Sequence, residues 1–422
     1  MSLISRDHSV VWHPFTQRGM AGDPLPVVSA KGAWLELEGG RKILDAISSW
    51  WCNTLGHSHP ELVQAAEEQL RRLDHVIFAS CTHEPAVSLA EAIIRDAPNG
   101  YGKVFFSDNG STACEVAIKL AVQLFANRGE RGRSRIVALE GAYHGDTFGA
   151  MSAGARGLFS APFEGLLFHV DRLSTEGSEQ DRKRLAELCA QGDVAAFIFE
   201  PLVQGAGGMR MYSPEVLDGY LETCRRHGVV TIADEVMTGF GRTGPLFASS
   251  RLRVAPDVLC LSKGLTGGTM PLALTVVRDA LFEEFVSNDH SRTFFHGHTF
   301  TGHPVACAVA RRALELTASA ECSRDRERIF RSHQQFSERL RGFPNAREVR
   351  VCGTILALNV AGSGGTGYSS TSTRGAQRFF LERGVLLRPL GDVLYVMPPY
   401  CASNDDLGLA YGAIEEFLRS AR

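Results

Sequence analysis

Two stretches decide the fold: Val229-Val-Thr-Ile-Ala-Asp234-Glu235 and Asp257-Val-Leu-Cys-Leu-Ser-Lys263-Gly264. Each is a short apolar run ending in an ionisable group. An uninterrupted apolar run of this length fits a parallel strand buried on both faces. In open α/β sheets ligands bind at the carboxyl edge of such strands. An aspartate and a lysine delivered there by two strands suit pyridoxal phosphate. The amine can form a Schiff base with the aldehyde, and the carboxylate can hold the pyridinium nitrogen protonated. Either residue alone reads equally as a snorkelling lysine or a helix-capping aspartate. What sets the pair apart is the order of further motifs around it.

Val104-Phe-Phe-Ser107 reads as a strand running through Asp108-Asn-Gly110-Ser111-Thr112 into a helix. Its apolar positions, Ala113, Val116, Ala117, Leu120, Ala121 and Leu124, follow the 3-and-4 spacing of one buried face. The start of that helix is an anion site: backbone N–H groups and the dipole face the phosphate, Gly110 permits close approach, and Ser111 or Thr112 adds a hydroxyl. Further strands are expected at 135–139, 195–199 and 272–277. A helix between two of them has Ser213 as N-cap, Pro214 as first residue and Gly228 as stop. Strands alternating with helices predict a mostly parallel sheet covered on both faces.

A helix-prone stretch from Pro304 to about Arg341 leads away from this sheet. Strands at 354–360, 385–388 and 393–397 and a helix near 405–418 follow. The expected division is a large domain over 48–318 and a smaller α+β domain formed by 1–47 and 319–422. The Gly-, Ser- and Thr-rich segment 361–375 reads as a surface loop.

The bulk numbers narrow the function. The net charge of −3 advertises neither nucleic acid nor an anionic membrane as partner. The 10 cysteines lie scattered without C-x-x-C spacing, which fits inert thiols in a reducing compartment. The polar N-terminus and the lack of a long apolar run predict a soluble cytoplasmic protein.

Other motifs carry chemistry. Glu140-Gly-Ala-Tyr143-His144-Gly145-Asp146 can place an aromatic ring on a cofactor and a carboxylate against a cation, or can be a packed loop. Glu200-Pro-Leu-Val-Gln204-Gly205 leaves a strand with a carboxylate and an amide. Trp50-Trp51 is either core or the wall of a substrate pocket. Arg388 in Leu387-Arg388-Pro389 suits a bidentate grip on a substrate carboxylate. His296, His298 and His303 have spacing that can ligate zinc, but no acidic ligand adjoins them, and no metal is expected.

Taken in order, these residues resemble the class III pyridoxal-phosphate aminotransferases over nearly the whole chain. The specific segments are Trp12-His-Pro14, Ser48-Ser-Trp50-Trp51, Tyr143 to Met151, Gln204 to Tyr212, Gly239-Phe-Gly-Arg-Thr-Gly244, Leu265 to Thr269 and Met397-Pro-Pro-Tyr400. Within the family the likeness is to members that move an amino group from S-adenosyl-L-methionine to 8-amino-7-oxononanoate, giving 7,8-diaminononanoate for biotin. The resemblance implies a fold-type-I homodimer with shared active sites. Lys263 would be the Schiff-base lysine and proton shuttle, Asp234 the partner of the pyridinium nitrogen, and Tyr143 the stacking ring. Gly110 and Ser111 would hold the phosphate, joined by His298 and Thr299 of the neighbouring subunit. Arg388 would bind the acceptor's carboxylate, with Trp50, Gly297 and Tyr395 lining the pocket and Asp146 meeting the donor's amino acid part.

Three positions are informative against the family pattern. Phe15 stands where a tyrosine is common, and His298 precedes Thr299 where a proline is usual. Ala206 stands where the 4-aminobutyrate and ornithine enzymes carry a glutamate that pairs with the active-site arginine. Without that carboxylate, alternation between ω-amines and 2-oxoglutarate is disfavoured. The rival expectations are an ω-amino-acid aminotransferase using pyruvate or 2-oxoglutarate, lysine as donor to the same acceptor, a non-catalytic pyridoxal-phosphate sensor and a zinc hydrolase.

Overall fold

The computed structural model describes residues 1–98, 100–361 and 375–420. The expected loop at 361–375 therefore lies, apart from its two ends, outside the described residues. The central sheet has seven strands: β1 (Tyr101–Ser107), β2 (Arg135–Leu139), β3 (Val170–Leu173), β4 (Val194–Phe199), β5 (Val230–Asp234), β6 (Val258–Leu261) and β7 (Ala273–Arg278). Their spatial order is β1-β7-β6-β5-β4-β2-β3. All pairs are parallel except those of β7, which runs antiparallel to β6 and β1.

Alternate residues of the strands face two different cores. Ile136, Ala138, Ile198, Ile232 and Cys260 pack with helix α1 (Gly110–Asn127). Val137, Leu139, Phe197, Phe199 and Leu259 pack with helices α2 (Pro214–Arg226) and α3 (Pro304–Ala318). Burial on both faces is why these strands are nearly free of polar residues. α1 is apolar over more than one stripe, because Cys114, Ile118 and Phe125 are buried beside the six expected positions.

The long helical stretch is two helices. α3 stops at Ala318, Ser319 is extended (φ −63°, ψ 152°), and its side chain accepts from Cys322 N at the start of helix α4 (Ala320–Leu340). Serine prefers such a capping position to a helix interior. The strand expected to end at Arg388 is shorter, Val385–Leu386. Leu387 and Arg388 lie beyond its pairing with Leu44 and Asp45.

Both ends of the chain contribute to the remaining sheets. Val27–Lys31, Trp34–Leu37 and Lys42–Asp45 form an antiparallel set, to which Val385–Leu386 adds in parallel. Ala346–Cys352, Ile355–Val360 and Val393–Val396 form a second antiparallel sheet. Among the described residues no helix is long and apolar enough to cross a membrane.

Register explains the site. Asp234 pairs with Cys260, so β5 and β6 end side by side, with Lys263 just beyond. The turn after β2 and Glu200 after β4 leave from the same edge. The antiparallel β7 starts there, opposite Ser107 at the end of β1. Six chain segments thus meet at one edge, the carboxyl edge of the parallel strands, the position that open α/β sheets reserve for ligands.

Candidate active site

A cavity of about 770 Å³ opens at that edge, lined by Gly110, Ser111, Tyr143, Asp146, Asp234 and Lys263, and across from them by Trp50, Ala206, Arg388 and Tyr395. Residues scattered over most of the chain are brought to one concavity. Gly297, His298 and Thr299 are not part of its lining. Their segment is tied to the outer side of α1, where Lys119 Nζ meets His296 Nδ1 at 2.9 Å and Gln123 Nε2 donates to Thr293 O at 2.9 Å. The histidines at 296–303 do not form a metal cluster among the described residues. The three potential ligands that do converge are Cys114, His144 and Asp234, within 4.8 Å of one another.

The start of α1 is a finished capping box: Asn109 accepts from Thr112 N, and Thr112 Oγ1 accepts from Asn109 N. Thr112 is therefore committed to the cap, and the hydroxyl facing the cavity is that of Ser111. Its Oγ lies 2.8 Å from Thr147 Oγ1 and accepts from Thr147 N at 3.0 Å. Gly145, at φ +124°, lets the loop after β2 pass this close; a Cβ there would sit 2.2 Å from Ser111 Oγ.

Asp234 is buried. Its Oδ2 lies 2.7 Å from His144 Nδ1, and its Oδ1 accepts from Val236 N at 3.1 Å. Burial alone would lower the His144 pKa, but the Asp234 carboxylate and Cys114 more than offset it and push it up to about 10. The His144 imidazole is held against the Asp234 carboxyl group, a contact that orients Asp234. Glu200 accepts from Tyr143 N at 3.1 Å and Gly205 N at 2.9 Å, yet burial raises its carboxyl to about 7. Burial, followed by the neighbouring Asp146 carboxylate, raises the Tyr143 phenol and keeps it protonated.

Lys263 has φ +48°, rare for a residue with a side chain. Strain of this kind persists where the surroundings over-determine a conformation, and it collects at functional sites. Its Nζ lies 4.6 Å from the centre of the Trp51 ring. Burial lowers its pKa, although Asp234 opposes the shift. A desolvated amine of this kind is a better nucleophile and base than a surface lysine.

At the far wall the Arg388 guanidinium sits 4.7 Å over the Trp50 ring. It has no carboxylate partner among the described residues, and Ala206 lines the same cavity. Trp51 Nε1 donates to Tyr395 Oη at 3.0 Å. Phe15 joins the rim, its ring 5.5 Å from Trp50 and 5.8 Å from Phe159. Two participants have no role assigned from sequence. His144 was part of a quoted motif, but its bond to Asp234 spans 90 residues and leaves no local signal. Phe159 lies in a loop without periodicity.

The donor set fits pyridoxal phosphate: a helix start with the Ser111 hydroxyl at the cavity for the phosphate, a buried carboxylate for the ring nitrogen and a desolvated amine for the aldehyde. The aminotransferase class-III family model matches residues 17–418. An adenosylmethionine-8-amino-7-oxononanoate aminotransferase of Synechococcus elongatus is 46% identical over 97% of this chain and 99% of its own length. The crystal structure of an adenosylmethionine-8-amino-7-oxononanoate aminotransferase from Methanocaldococcus jannaschii is similar at a TM-score of 0.92, with 31% identity over 98% of each chain. A PLP-bound amine transaminase from an uncultivated Pseudomonas species is similar at 0.89, with 29% identity over 98% of this chain and 99% of that one.

Proposed function

The chain belongs to the class-III aminotransferases, and from that premise we propose that it transfers the amino group of S-adenosyl-L-methionine to 8-amino-7-oxononanoate, giving 7,8-diaminononanoate for biotin synthesis. The observation that carries the reading is one cavity with a desolvated amine at one end and, at the other, an arginine with no carboxylate partner among the described residues. An acceptor with a ketone and a distal carboxylate matches both ends.

Pyridoxal phosphate, when bound, supplies an aldehyde for amines and a ring that accepts electrons. Gly110, Ser111 and the free N–H groups of α1 would hold its phosphate. The Asp234 carboxylate, fixed by His144 and Val236 N, would keep the ring nitrogen protonated, and Tyr143 would supply an aromatic face to the ring. Lys263 Nζ, neutral more readily because it is buried, takes the proton from the donor's Cα and returns one in the same cleft. Asp146 meets the amino acid part of the donor. Arg388 neutralises the acceptor's carboxylate, while Trp50 and Tyr395 wall the chain between. The two substrates take turns in one site, so the kinetics are ping-pong.

Gly297, His298 and Thr299, remote from this cavity in their own chain, complete the phosphate site of a second copy in a cytoplasmic homodimer. In that arrangement 48–318 is the cofactor-binding domain, with 1–47 and 319–422 as the smaller one. Incubation of purified protein with S-adenosyl-L-methionine and 8-amino-7-oxononanoate should form the diamine. Turnover only with pyruvate or 2-oxoglutarate would replace the reading with an ω-amino-acid aminotransferase, and activity only with lysine would replace the donor.

Arg388→Ala should damage the acceptor half. Hydrogen bonds to charged groups are worth about 1.5–3 kcal/mol, so kcat/KM for the acceptor should fall roughly 10- to 150-fold. Conversion by donor alone in a single turnover should change far less; equal damage to both halves would remove Arg388 from this role.

Phe15→Tyr should improve substrate use. Phe15 is 47% exposed on the cavity rim, so an added hydroxyl stays wet and carries no burial cost. One recovered hydrogen bond is worth about 0.5–1.5 kcal/mol, a gain of roughly 2- to 12-fold in kcat/KM. An unchanged or lower value with the same donor and acceptor would show that the rim does not need it.

A further inference from the structure

The segment between Lys263 and Arg388 is the most strained in the cavity wall. Ser48 (φ +51°), Ser49 (φ +55°) and Trp51 (φ +67°) all lie in the left-handed region without being glycine. Such a run persists only where its surroundings fix it, and here it is fixed from two sides.

On one side stands Asp45, fully buried at the end of Lys42–Asp45. Its Oδ1 accepts from Ile47 N at 3.2 Å; its Oδ2 accepts from Ser49 N at 2.7 Å and Ser49 Oγ at 2.9 Å, and lies 2.8 Å from His57 Nε2. His57 Nδ1 faces the Asn53 amide at 3.3 Å. An amide N–H can only donate, so Nδ1 is the acceptor and Nε2 carries the proton toward Asp45. The His57 backbone is pinned in turn, exchanging hydrogen bonds of 3.0 and 2.7 Å with Gly32. On the other side Ser48 Oγ donates to Met397 O at 2.9 Å and accepts from Arg242 Nη2 at 2.7 Å. Arg242 is buried, donates to Pro398 O and lies over the Tyr400 ring.

The clasp aims two tryptophans in opposite directions: Trp51 against the Lys263 amine and Trp50 under the Arg388 guanidinium. We propose that Asp45, oriented by His57, is a positioning residue that sets the acceptor specificity of this enzyme by holding Trp50 and Trp51 between the reacting amine and the carboxylate-binding arginine. The proposal rests on the aminotransferase reading above. Asp45 touches neither amine nor arginine; it acts through the loop.

Asp45→Asn tests it in the holoenzyme. The amide keeps the shape but turns one acceptor into a donor that faces Ser49 or Ile47. A buried donor left without a partner is costly, and the acceptor KM should rise about 10-fold. The donor half-reaction, followed by single-turnover absorbance, should change less than about threefold. The preference for acceptor over its methyl ester should shrink, because Arg388 loses its fixed platform, and near-ultraviolet circular dichroism should show the loosened tryptophans. A global defect would instead move both half-reactions together, and that result, or an unchanged acceptor KM, overturns the proposal. His57→Ala removes one bond to Asp45 and should give the same split at lower amplitude; it decides the matter if Asp45→Asn does not fold. His57→Gln, which can still donate to Asp45, should recover most of the loss. If the wild-type protein refuses 8-amino-7-oxononanoate and uses pyruvate, the proposed function fails, and the same comparison with pyruvate still decides the clasp.

Discussion

Lys263→Ala is expected to abolish turnover and the absorption band of the lysine–cofactor Schiff base while leaving the protein folded. Lys263 is the one lysine among the cavity's lining residues, so nothing nearby can replace its amine. General-base assistance alone is worth about 10²–10⁴-fold, and the loss of covalent capture adds to it. Stability should move the other way. An amine surrounded by protein and lowered in pKa by burial is a cost to the fold, and its backbone is held at φ +48° with or without the long side chain. The thermal midpoint of the apoprotein should therefore hold or rise, as it does when a strained functional group is removed. Turnover persisting without added amine would take the role from Lys263; a collapsed midpoint would mean that it braces the fold.

How much of this was legible in the sequence follows from how far each signal travels along the chain. Asp234 and Lys263 end apolar runs, so strand, edge and charge could be read together from a few adjacent residues. The helix start at Gly110 and the arginine before Pro389 are equally local. The direction of Ala273–Arg278 was not legible, because an apolar run reads the same in either sense; its antiparallel pairing depends on the short turn from Lys263 back to Leu272. The break at Ser319 hid in a helix-prone stretch, though serine there is itself a capping signal. The supports of the site were hidden for another reason. His144 reaches Asp234, Arg242 reaches Ser48, and Trp51 reaches Tyr395 across distant segments. Their partners are defined by the assembled sheet edge, and no spacing rule finds them.

Asp234→Asn is expected to lower kcat by on the order of 100- to 1,000-fold, the scale on which a preorganised polar group at a reacting centre is worth its place. The amide is nearly isosteric, and its oxygen can still accept from Val236 N, so the geometry survives while the charge goes. His144 supplies a second, cofactor-free readout. Burial lowers its pKa, and the Asp234 carboxylate together with Cys114 brings it from 6.5 to about 10. A histidine raised on folding adds stability that is complete below its unfolded value and is lost as pH climbs through the folded one. Apoprotein of the natural sequence should therefore lose this part of its thermal stability between about pH 6.5 and 10. In Asp234→Asn the carboxylate is gone and burial prevails, so that decline should vanish, and stability should fall instead as pH drops below the ordinary imidazole range. Parallel melting curves of the two apoproteins across this range separate the cases. If the rate stays near normal, another group serves the ring nitrogen; if the curves keep the same slope, His144 does not owe its proton to Asp234.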